Sequence, residues 1–251
     1  MKALITGATS GIGKEFAIEL SKNGYDLILI ARNKEELNKL KNTLKTDVEI
    51  YVTDLTKRKN AYKIYNRFKN EEIDLIINNA GVGVFGNFTD TNIDEELDMM
   101  EVNLVTPHLL TKLFLKGLIE KDRGKILNVS STAAFAPGPL MAAYYSTKSY
   151  IYNLTCSIYE ELKQINSKVK VSVLCPGPVN TNFNNRIGIK FGINALPPKY
   201  VVEYTLKKLN KNQLVIIPGF TNRLLSFFVR ILPLKFILKL NYKIQSKKVI
   251  K

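Results

Sequence analysis

The chain has 251 residues, of which 45% are apolar and 10% aromatic, and its formal net charge is +15. These values are typical of a globular protein of one large domain or two small ones, and they exclude a disordered or fibrous chain. The two cysteines, Cys156 and Cys175, have no cluster of Cys or His beside them. We therefore expect neither a disulfide framework nor a metal site.

The positive charge is concentrated towards the C-terminus. Glu203 is the last acidic residue, and 11 lysines and arginines follow it, so the rest of the chain carries only +4. Residues 1–6 show no signal-peptide pattern, and no stretch of about 18 uncharged apolar residues occurs. The sequence therefore predicts a cytoplasmic protein without a membrane-spanning segment.

Short runs rich in β-branched residues, typical of strands buried on both faces, alternate with helical patterns along the chain. The strand-like runs are Lys2–Thr6, Asp26–Ile30, Val48–Val52, Ile73–Ile77, Lys125–Val129, Val169–Leu174 and Gln213–Ile217. The helical patterns cover Gly13–Asn23, Lys34–Leu44, Lys57–Asn70, Asn92–Ile119, Ala143–Gln164 and Lys199–Leu209. This alternation predicts an α/β fold, a Rossmann-type doubly wound parallel sheet of about seven strands with helices on both faces.

No repeat or linker interrupts the alternation, so we expect one domain over residues 1–219 and a tail over residues 220–251. The segment 176–198 contains four prolines and little periodicity. A loop of this length in a compact domain is usually functional. It is therefore expected to form a substrate loop or lid.

A glycine-rich turn, TGATSGIG from Thr6 to Gly13, joins the first predicted strand to the first predicted helix. Its glycines allow a ligand to approach the backbone closely, and the N-terminus of the helix attracts a pyrophosphate group. A plain tight turn is the alternative interpretation.

The second predicted strand is followed by Ala31, Arg32 and Asn33. In a doubly wound fold this position meets the adenosine ribose, and an acidic residue there favours NAD. No carboxylate is present, and the guanidinium of Arg32 is suited to a 2′-phosphate, so the sequence predicts NADP(H) as cofactor. The alternative is that Arg32 is a solvated surface cation.

Tyr144 and Lys148 are four residues apart within a predicted helix. This spacing places both side chains on one face, where the ammonium group would favour the phenolate and make the tyrosine a usable acid and base. The neighbouring Tyr145 has Ser149 instead of a lysine four residues later, which favours Tyr144.

Taken together, these motifs resemble the short-chain dehydrogenase/reductase family over about residues 2–218. The resemblance implies a cofactor site whose residues fall into four groups: the turn, the position that selects the ribose phosphate, the strand-end contacts and the nicotinamide contacts. They are Gly7, Thr9, Ser10, Gly11, Ile12 and Gly13; Arg32; Asp54, Asn79, Ala80 and Gly81; and Pro176, Gly177, Val179 and Thr181, together with Tyr144 and Lys148.

The resemblance also implies a catalytic set. Tyr144 would protonate the substrate oxygen, and Ser131, the second serine of a pair, would hold that oxygen. Lys148 would bind the ribose and lower the pKa of the tyrosine, while Asn103 would support a proton relay behind the lysine. The family commonly has a glycine shortly after this serine, and the sequence Thr132-Ala133-Ala134-Phe135 replaces it.

The substrate contacts expected besides Ser131 and Tyr144 are Leu140, Met141 and an apolar set in the loop. That set is Phe183, Ile187, Ile189, Phe191, Ile193 and Leu196, with Arg186 and Lys190 available for an anionic group. These residues predict a hydrophobic ketone, aldehyde or 3-oxoacyl substrate. Packing of the same side chains into the core is the alternative.

In the tail, Lys235, Lys239, Lys243 and Lys247 form a basic stripe, with Leu234, Ile237, Leu240 and Ile244 on the other side of a helix. Pro233 is expected to separate this helix from one at about Asn222–Ile231. The tail either docks on the domain or a second subunit, or lies on an anionic membrane. The resemblance implies a homodimer or homotetramer.

The leading hypothesis is an NADPH-dependent carbonyl reductase acting on a small carbonyl or alcohol. The alternative is a non-catalytic NADP-binding sensor or a membrane-associated scaffold. A nucleic-acid partner is not expected, because the basic tail has no interleaved aromatic platform.

Overall fold

The computed structural model describes residues 1–183 and 195–247. Within them, one parallel sheet has the strand order β3-β2-β1-β4-β5-β6-β7. The strands are β1 (Lys2–Thr6), β2 (Asp26–Ala31), β3 (Val48–Val52), β4 (Leu75–Asn78), β5 (Lys125–Val129), β6 (Lys170–Leu174) and β7 (Val215–Ile216). The order reverses between β1 and β4, and ligands of doubly wound folds bind at the carboxyl ends of strands at such a point. The predicted fold class is confirmed.

Helices connect the strands and cover both faces of the sheet. They are α1 (Gly11–Lys22), α2 (Lys34–Lys41), α3 (Arg58–Phe68), α4 (Ile93–Met100), α5 (Thr106–Glu120), α6 (Ala142–Gln164), α7 (Pro198–Leu209), α8 (Phe220–Ile231) and α9 (Leu234–Ser246). The sequence predicts a single helix from Asn92 to Ile119. That prediction is wrong in one respect, because a π-helical turn, Glu101–Val105, separates α4 from α5.

The core consists of two apolar clusters, one on each face of the sheet. Leu4 and Ile5 are neighbours on β1 and are fully buried in different clusters, as the alternation of side chains along a strand requires. Phe16 of α1 anchors one cluster and Phe68 of α3 the other. Both faces of the sheet are therefore covered, and the carboxyl ends of the strands are the edge at which doubly wound folds bind their ligands.

The tail forms two helices that are separated at Pro233, as predicted, and it packs against the domain. Asn241 Nδ2 donates a hydrogen bond to the carbonyl oxygen of Pro137 at 2.9 Å. Of the four apolar residues expected to share one side of α9, only Ile237 is buried, and Leu234, Leu240 and Ile244 are exposed. In the part of the chain that the structure describes, no helix combines the length and hydrophobicity needed to cross a membrane.

Candidate active site

The glycine-rich turn is packed against the end of β4. Gly7 has a φ of +68°, and a Cβ there would lie 2.8 Å from the Cα of Ala80. A Cβ on Gly13 would overlap the carbonyl oxygen of Gly7 and the side-chain amide of Asn79. That amide donates hydrogen bonds to the carbonyl oxygens of Thr6 at 2.9 Å and of Gly7 at 3.2 Å. The turn therefore requires glycine at both positions and is fixed by Asn79.

The N-terminus of α1 opens into this turn. The N-cap residue Ser10 makes no side-chain capping hydrogen bond in the described structure, which leaves the first N–H groups of the helix available to an anion. Gly11 has a φ of +53°, and a Cβ there would lie 2.9 Å from the side chain of Thr181. The turn, the helix N-terminus and Thr181 thus form a cradle that fits the pyrophosphate of a dinucleotide.

The carboxyl ends of β2 and β3 are the expected adenosine side. Arg32 is exposed directly after β2. The next side chain, Asn33, is occupied because it accepts a hydrogen bond from the N–H of Glu36 at 3.1 Å. Asp54 follows β3. Its carboxylate accepts two hydrogen bonds from Thr56, one from the backbone N–H at 3.1 Å and one from the side-chain hydroxyl at 2.9 Å. Arg32 therefore lies where the sequence places it, at the end of its strand.

Helix α6 brings Tyr144 and Lys148 together one turn apart. Lys148 is only 4% exposed, and its Nζ lies 5.8 Å from the centre of the Tyr144 ring. The ammonium group donates a hydrogen bond to the carbonyl oxygen of Val129 at 3.1 Å. The Ser130 hydroxyl donates to the carbonyl oxygen of Lys148 at 2.7 Å, which ties α6 to the end of β5.

The π-helical turn positions Asn103 beside the lysine. Asn103 is buried, and its side chain forms a reciprocal pair with the backbone of Val82, with distances of 2.8 and 2.9 Å. Its Nδ2 also donates to the hydroxyl of Thr147 at 3.3 Å. A Cβ on Gly81 would lie 3.4 Å from both Asn103 Oδ1 and Lys148 Nζ. The two groups therefore flank the same glycine.

Ser131 completes the group from the end of β5. It is the N-cap of a short 3₁₀ turn, Thr132–Phe135, and its Oγ accepts a hydrogen bond from the N–H of Ala133 at 3.1 Å. The serine hydroxyl donates a hydrogen bond to the carbonyl oxygen of Pro176 at 3.4 Å, and the serine lies close enough to Tyr144 to influence the pKa of the phenol. All four residues expected to be catalytic thus meet at the carboxyl ends of β4 and β5.

Burial dominates the electrostatics of this group. Burial raises the pKa of Tyr144, Ser131 acts in the opposite direction, and the neighbouring Tyr145 raises it further. Burial lowers the pKa of Lys148 to about 8. The pKa of Tyr144 therefore lies above its ordinary value in this structure, because loss of hydration disfavours the phenolate. That Lys148 lowers this pKa stays a prediction. Tyr144 keeps its proton at neutral pH, as a proton donor must.

Some of the residues expected to contact the substrate lie within the described part of the chain. The ring of Phe183 lies 5.6 Å from that of Tyr144, centre to centre. Leu140 has a φ of +65°, a conformation that costs energy for a residue with a side chain, and its carbonyl oxygen accepts a hydrogen bond from Gly86 at 2.9 Å. Val179 forms an isolated β-bridge with Leu196. The remaining residues predicted for the loop, Arg186, Ile187, Ile189, Lys190, Phe191 and Ile193, lie outside the described residues.

A family model described as short chain dehydrogenase matches residues 1–190. The chain belongs to this family. The match covers the sheet up to β6 and every residue of the catalytic group. The short-chain dehydrogenases are oxidoreductases with a nicotinamide cofactor, and the cradle at Gly7, Gly11 and Gly13 fits such a cofactor.

This short-chain dehydrogenase is similar in sequence and structure to several known proteins. It is 30% identical to estradiol 17-beta-dehydrogenase 11 of Rattus norvegicus, over 97% of this chain and 84% of that protein. It is 36% identical to hydroxysteroid dehydrogenase-like protein 1 of Gallus gallus, over 63% of this chain but only 50% of that protein. The solved structure of a short-chain dehydrogenase from Sphingobium yanoikuyae in complex with NADPH has a TM-score of 0.82 at 26% identity, covering 90% of this chain and 92% of that one.

Several residues of this short-chain dehydrogenase matter to the site but were not predicted from the sequence. Thr147 links Asn103 to the carbonyl oxygen of Tyr144, to which its hydroxyl donates at 2.7 Å. Below it, the buried side chains of Thr111, Asn128 and Thr155 form one hydrogen-bonded network with Asn78, which belongs to the expected Asn-Asn-Ala-Gly motif. The sequence did contain a signal for these residues, because they are polar side chains within strand and helix patterns. Gln245, which donates to the hydroxyl of Tyr145 at 2.6 Å, gave none, because it is 100 residues away.

Proposed function

We propose that the protein transfers a hydride between NADP(H) and a carbonyl or alcohol group of a hydrophobic small molecule. The observation that carries the proposal is the convergence of four side chains. Asn103 and Lys148 flank Gly81. Tyr144 lies one helical turn from Lys148, and Ser131 lies next to Tyr144. A protonated, half-buried phenol next to a buried ammonium group is suited to giving a proton to a carbonyl oxygen that gains negative charge.

Each residue of the site would have a role that follows from its position. The cradle around Gly7, Gly11 and Thr181 would hold the pyrophosphate, and Gly81 would form the floor beneath the ribose and nicotinamide. The bound cofactor supplies the hydride. Ser131 would orient the substrate oxygen at Tyr144, and Tyr144 would donate its phenolic proton to that oxygen. Lys148, which remains mostly charged at neutral pH with a pKa of about 8, would stabilise the phenolate left behind.

Two residues and the name of one relative support the finer parts of the proposal. Arg32 follows β2 with no carboxylate beside it, which favours the 2′-phosphate of NADP(H). The apolar Phe183 next to Tyr144 favours a hydrophobic ketone, aldehyde or 3-oxoacyl group. The name of the rat relative, an estradiol dehydrogenase, is consistent with a bulky apolar substrate. A homodimer or homotetramer and a cytoplasmic location remain predictions.

The decisive experiment measures oxidation of NADPH and NADH with a panel of apolar ketones, aldehydes and 3-oxoacyl thioesters. Turnover with NADPH is expected to fall by at least about a thousandfold in Tyr144→Phe, because the phenolic proton is lost. Tyr145→Phe, which removes the neighbouring hydroxyl, is the matched control and is expected to keep its kcat within about fivefold. NADPH binding without turnover of any substrate in the panel would favour the non-catalytic sensor.

The cofactor preference has its own test. Arg32→Ser is expected to raise the KM for NADPH by about tenfold to a hundredfold and to leave the KM for NADH unchanged, since only NADPH carries the 2′-phosphate. Lys34→Ser, two residues further along at an equally exposed position, is the control. Equal effects of Arg32→Ser on both cofactors would contradict NADP(H) selection by this residue.

A further inference from the structure

Helix α8 docks on the domain through a narrow side formed by Asn222, Ser226 and Val229, and its other apolar residues face outwards. Ser226 is buried, and Asn222 packs against Gly177. The outward residues have the spacing of a single helical face and are between 45% and 70% exposed: Phe220, Leu224, Phe227 and Ile231. A helix that packs on a core normally buries its apolar face and exposes its polar face, whereas most apolar residues of α8 are exposed. In water it leaves a large apolar surface hydrated.

Helix α9 continues this pattern with a row of lysines. Its docked face consists of Ile237, Asn241 and Gln245, at intervals of four residues. The exposed residues Phe236, Leu240 and Ile244 form an apolar row at the same interval. Lys235, Lys239 and Lys243, again four apart and all exposed, lie beside that row.

The charge of the tail indicates which kind of surface could cover its exposed apolar residues. Residues 220–247 contain six lysines and arginines and no acidic residue. A second copy bound across a twofold axis would bring the same basic surface against itself, which is electrostatically unfavourable. An anionic lipid surface takes up apolar side chains at the boundary of its acyl chains and attracts lysines to its headgroups.

We propose that α8 and α9 together form a docking surface for an anionic membrane, on which the protein lies without crossing it. The tail binds the domain close to the catalytic group. Arg230 stacks on the ring of Phe135 at 4.2 Å, within the 3₁₀ turn that follows Ser131. Gln245 contacts Tyr145, the neighbour of Tyr144. Docking would therefore bring the substrate side of the site next to the lipid, where apolar molecules are concentrated. The lipid contact itself does not depend on the proposed hydride transfer.

The test is co-sedimentation of the full chain with vesicles of phosphatidylcholine, with and without phosphatidylglycerol. The unmodified protein is expected to bind the mixed vesicles and to bind phosphatidylcholine alone much more weakly. The triple variant Leu224→Ser, Phe227→Ser, Ile231→Ser is expected to bind the mixed vesicles on the order of a hundredfold more weakly.

The matched control replaces exposed apolar residues outside the tail, as Tyr62→Ser, Ile165→Ser, Tyr200→Ser. This control is expected to bind like the unmodified protein. Equal binding of the two triple variants would overturn the proposal, as would absence of binding to both kinds of vesicle. If the unmodified chain binds no vesicle and the tail variant converts a dimer to a monomer in sedimentation, a second copy covers the face and the proposal fails.

A charge variant keeps the test valid even if the serine variant does not fold. Replacing Lys235, Lys239 and Lys243 by glutamine is expected to weaken binding to the mixed vesicles by roughly a hundredfold, at about 1 kcal/mol per lysine. Replacing Lys59, Lys63 and Lys69 on and beside α3 removes the same charge elsewhere. If both sets weaken binding equally, net charge alone is responsible and the tail is not the docking surface.

Discussion

Around the active site, polar side chains are buried and hydrogen-bonded, whereas in the tail most apolar side chains face outwards and the docked side contains polar residues such as Ser226 and Gln245 beside the apolar Ile237. Asn103 and Lys148 are buried, and each has hydrogen-bond partners within 3.3 Å. Phe227 and Ile231 of α8 are about as exposed as surface residues. The first region follows the usual rule for buried polar groups, and the second reverses the usual rule for apolar groups. The difference indicates that the tail is adapted to surroundings other than water.

The largest expected difference between the active site and the tail is in the effect on kcat of replacing one serine in each region. Ser131→Ala should lower kcat by roughly a hundredfold to a thousandfold, because it removes a group positioned at the reacting oxygen. Ser226→Ala, in the docked face of α8, should change kcat less than twofold. Steady-state kinetics with NADPH and the best substrate of the panel provide the measurement. A loss in Ser226→Ala as large as that in Ser131→Ala would mean that the tail belongs to the catalytic machinery.

The buried lysine should make the stability of the protein depend on pH. Unfolding restores the ordinary pKa of Lys148 from about 8 to 10.5, so the unfolded chain holds the extra proton between these values. Stability should therefore rise with pH across this window, by on the order of 3 kcal/mol from this group, and the rise should be absent in Lys148→Met. Urea denaturation at several pH values measures it. Lys239→Met, at an exposed position, should follow the unmodified protein, and parallel curves for both variants would contradict the burial of Lys148.

Docking of the tail is tested by two apolar residues with opposite exposure. Ile237→Ala should cost about 2 kcal/mol or more, because this side chain is 2% exposed in the contact with the domain. Phe227→Ala, at 60% exposure, should change the free energy of unfolding by no more than about 0.5 kcal/mol. Thermal and urea denaturation without lipid give both values. A larger loss for Phe227→Ala would mean that its side chain is covered in solution.

The sheet was predictable from the sequence because its strands are buried on both faces and read as continuous apolar runs. The pairing of Tyr144 with Lys148 was predictable because they lie one helical turn apart, whereas Ser131 and Asn103 were expected only from the resemblance to the family. Ser131 follows a strand, and Asn103 lies in a π-helical turn between two helices. The direction of the tyrosine pKa was not predictable, since it depends on the hydration that burial removes. The outward apolar face of α8 was also missed, because an amphipathic pattern shows which residues share a face but not which face docks.

The π-helical turn at Glu101–Val105 has a consequence for how this segment can change during evolution. It adds one residue to what would otherwise be an unbroken helix from Ile93 to Glu120, and one residue turns a helix by about 100°. Deleting one residue would restore regular winding, but it would rotate either the packed face of α5 or the amide of Asn103 out of place. Surface positions of this segment are thus free to vary in sequence, while its length is fixed.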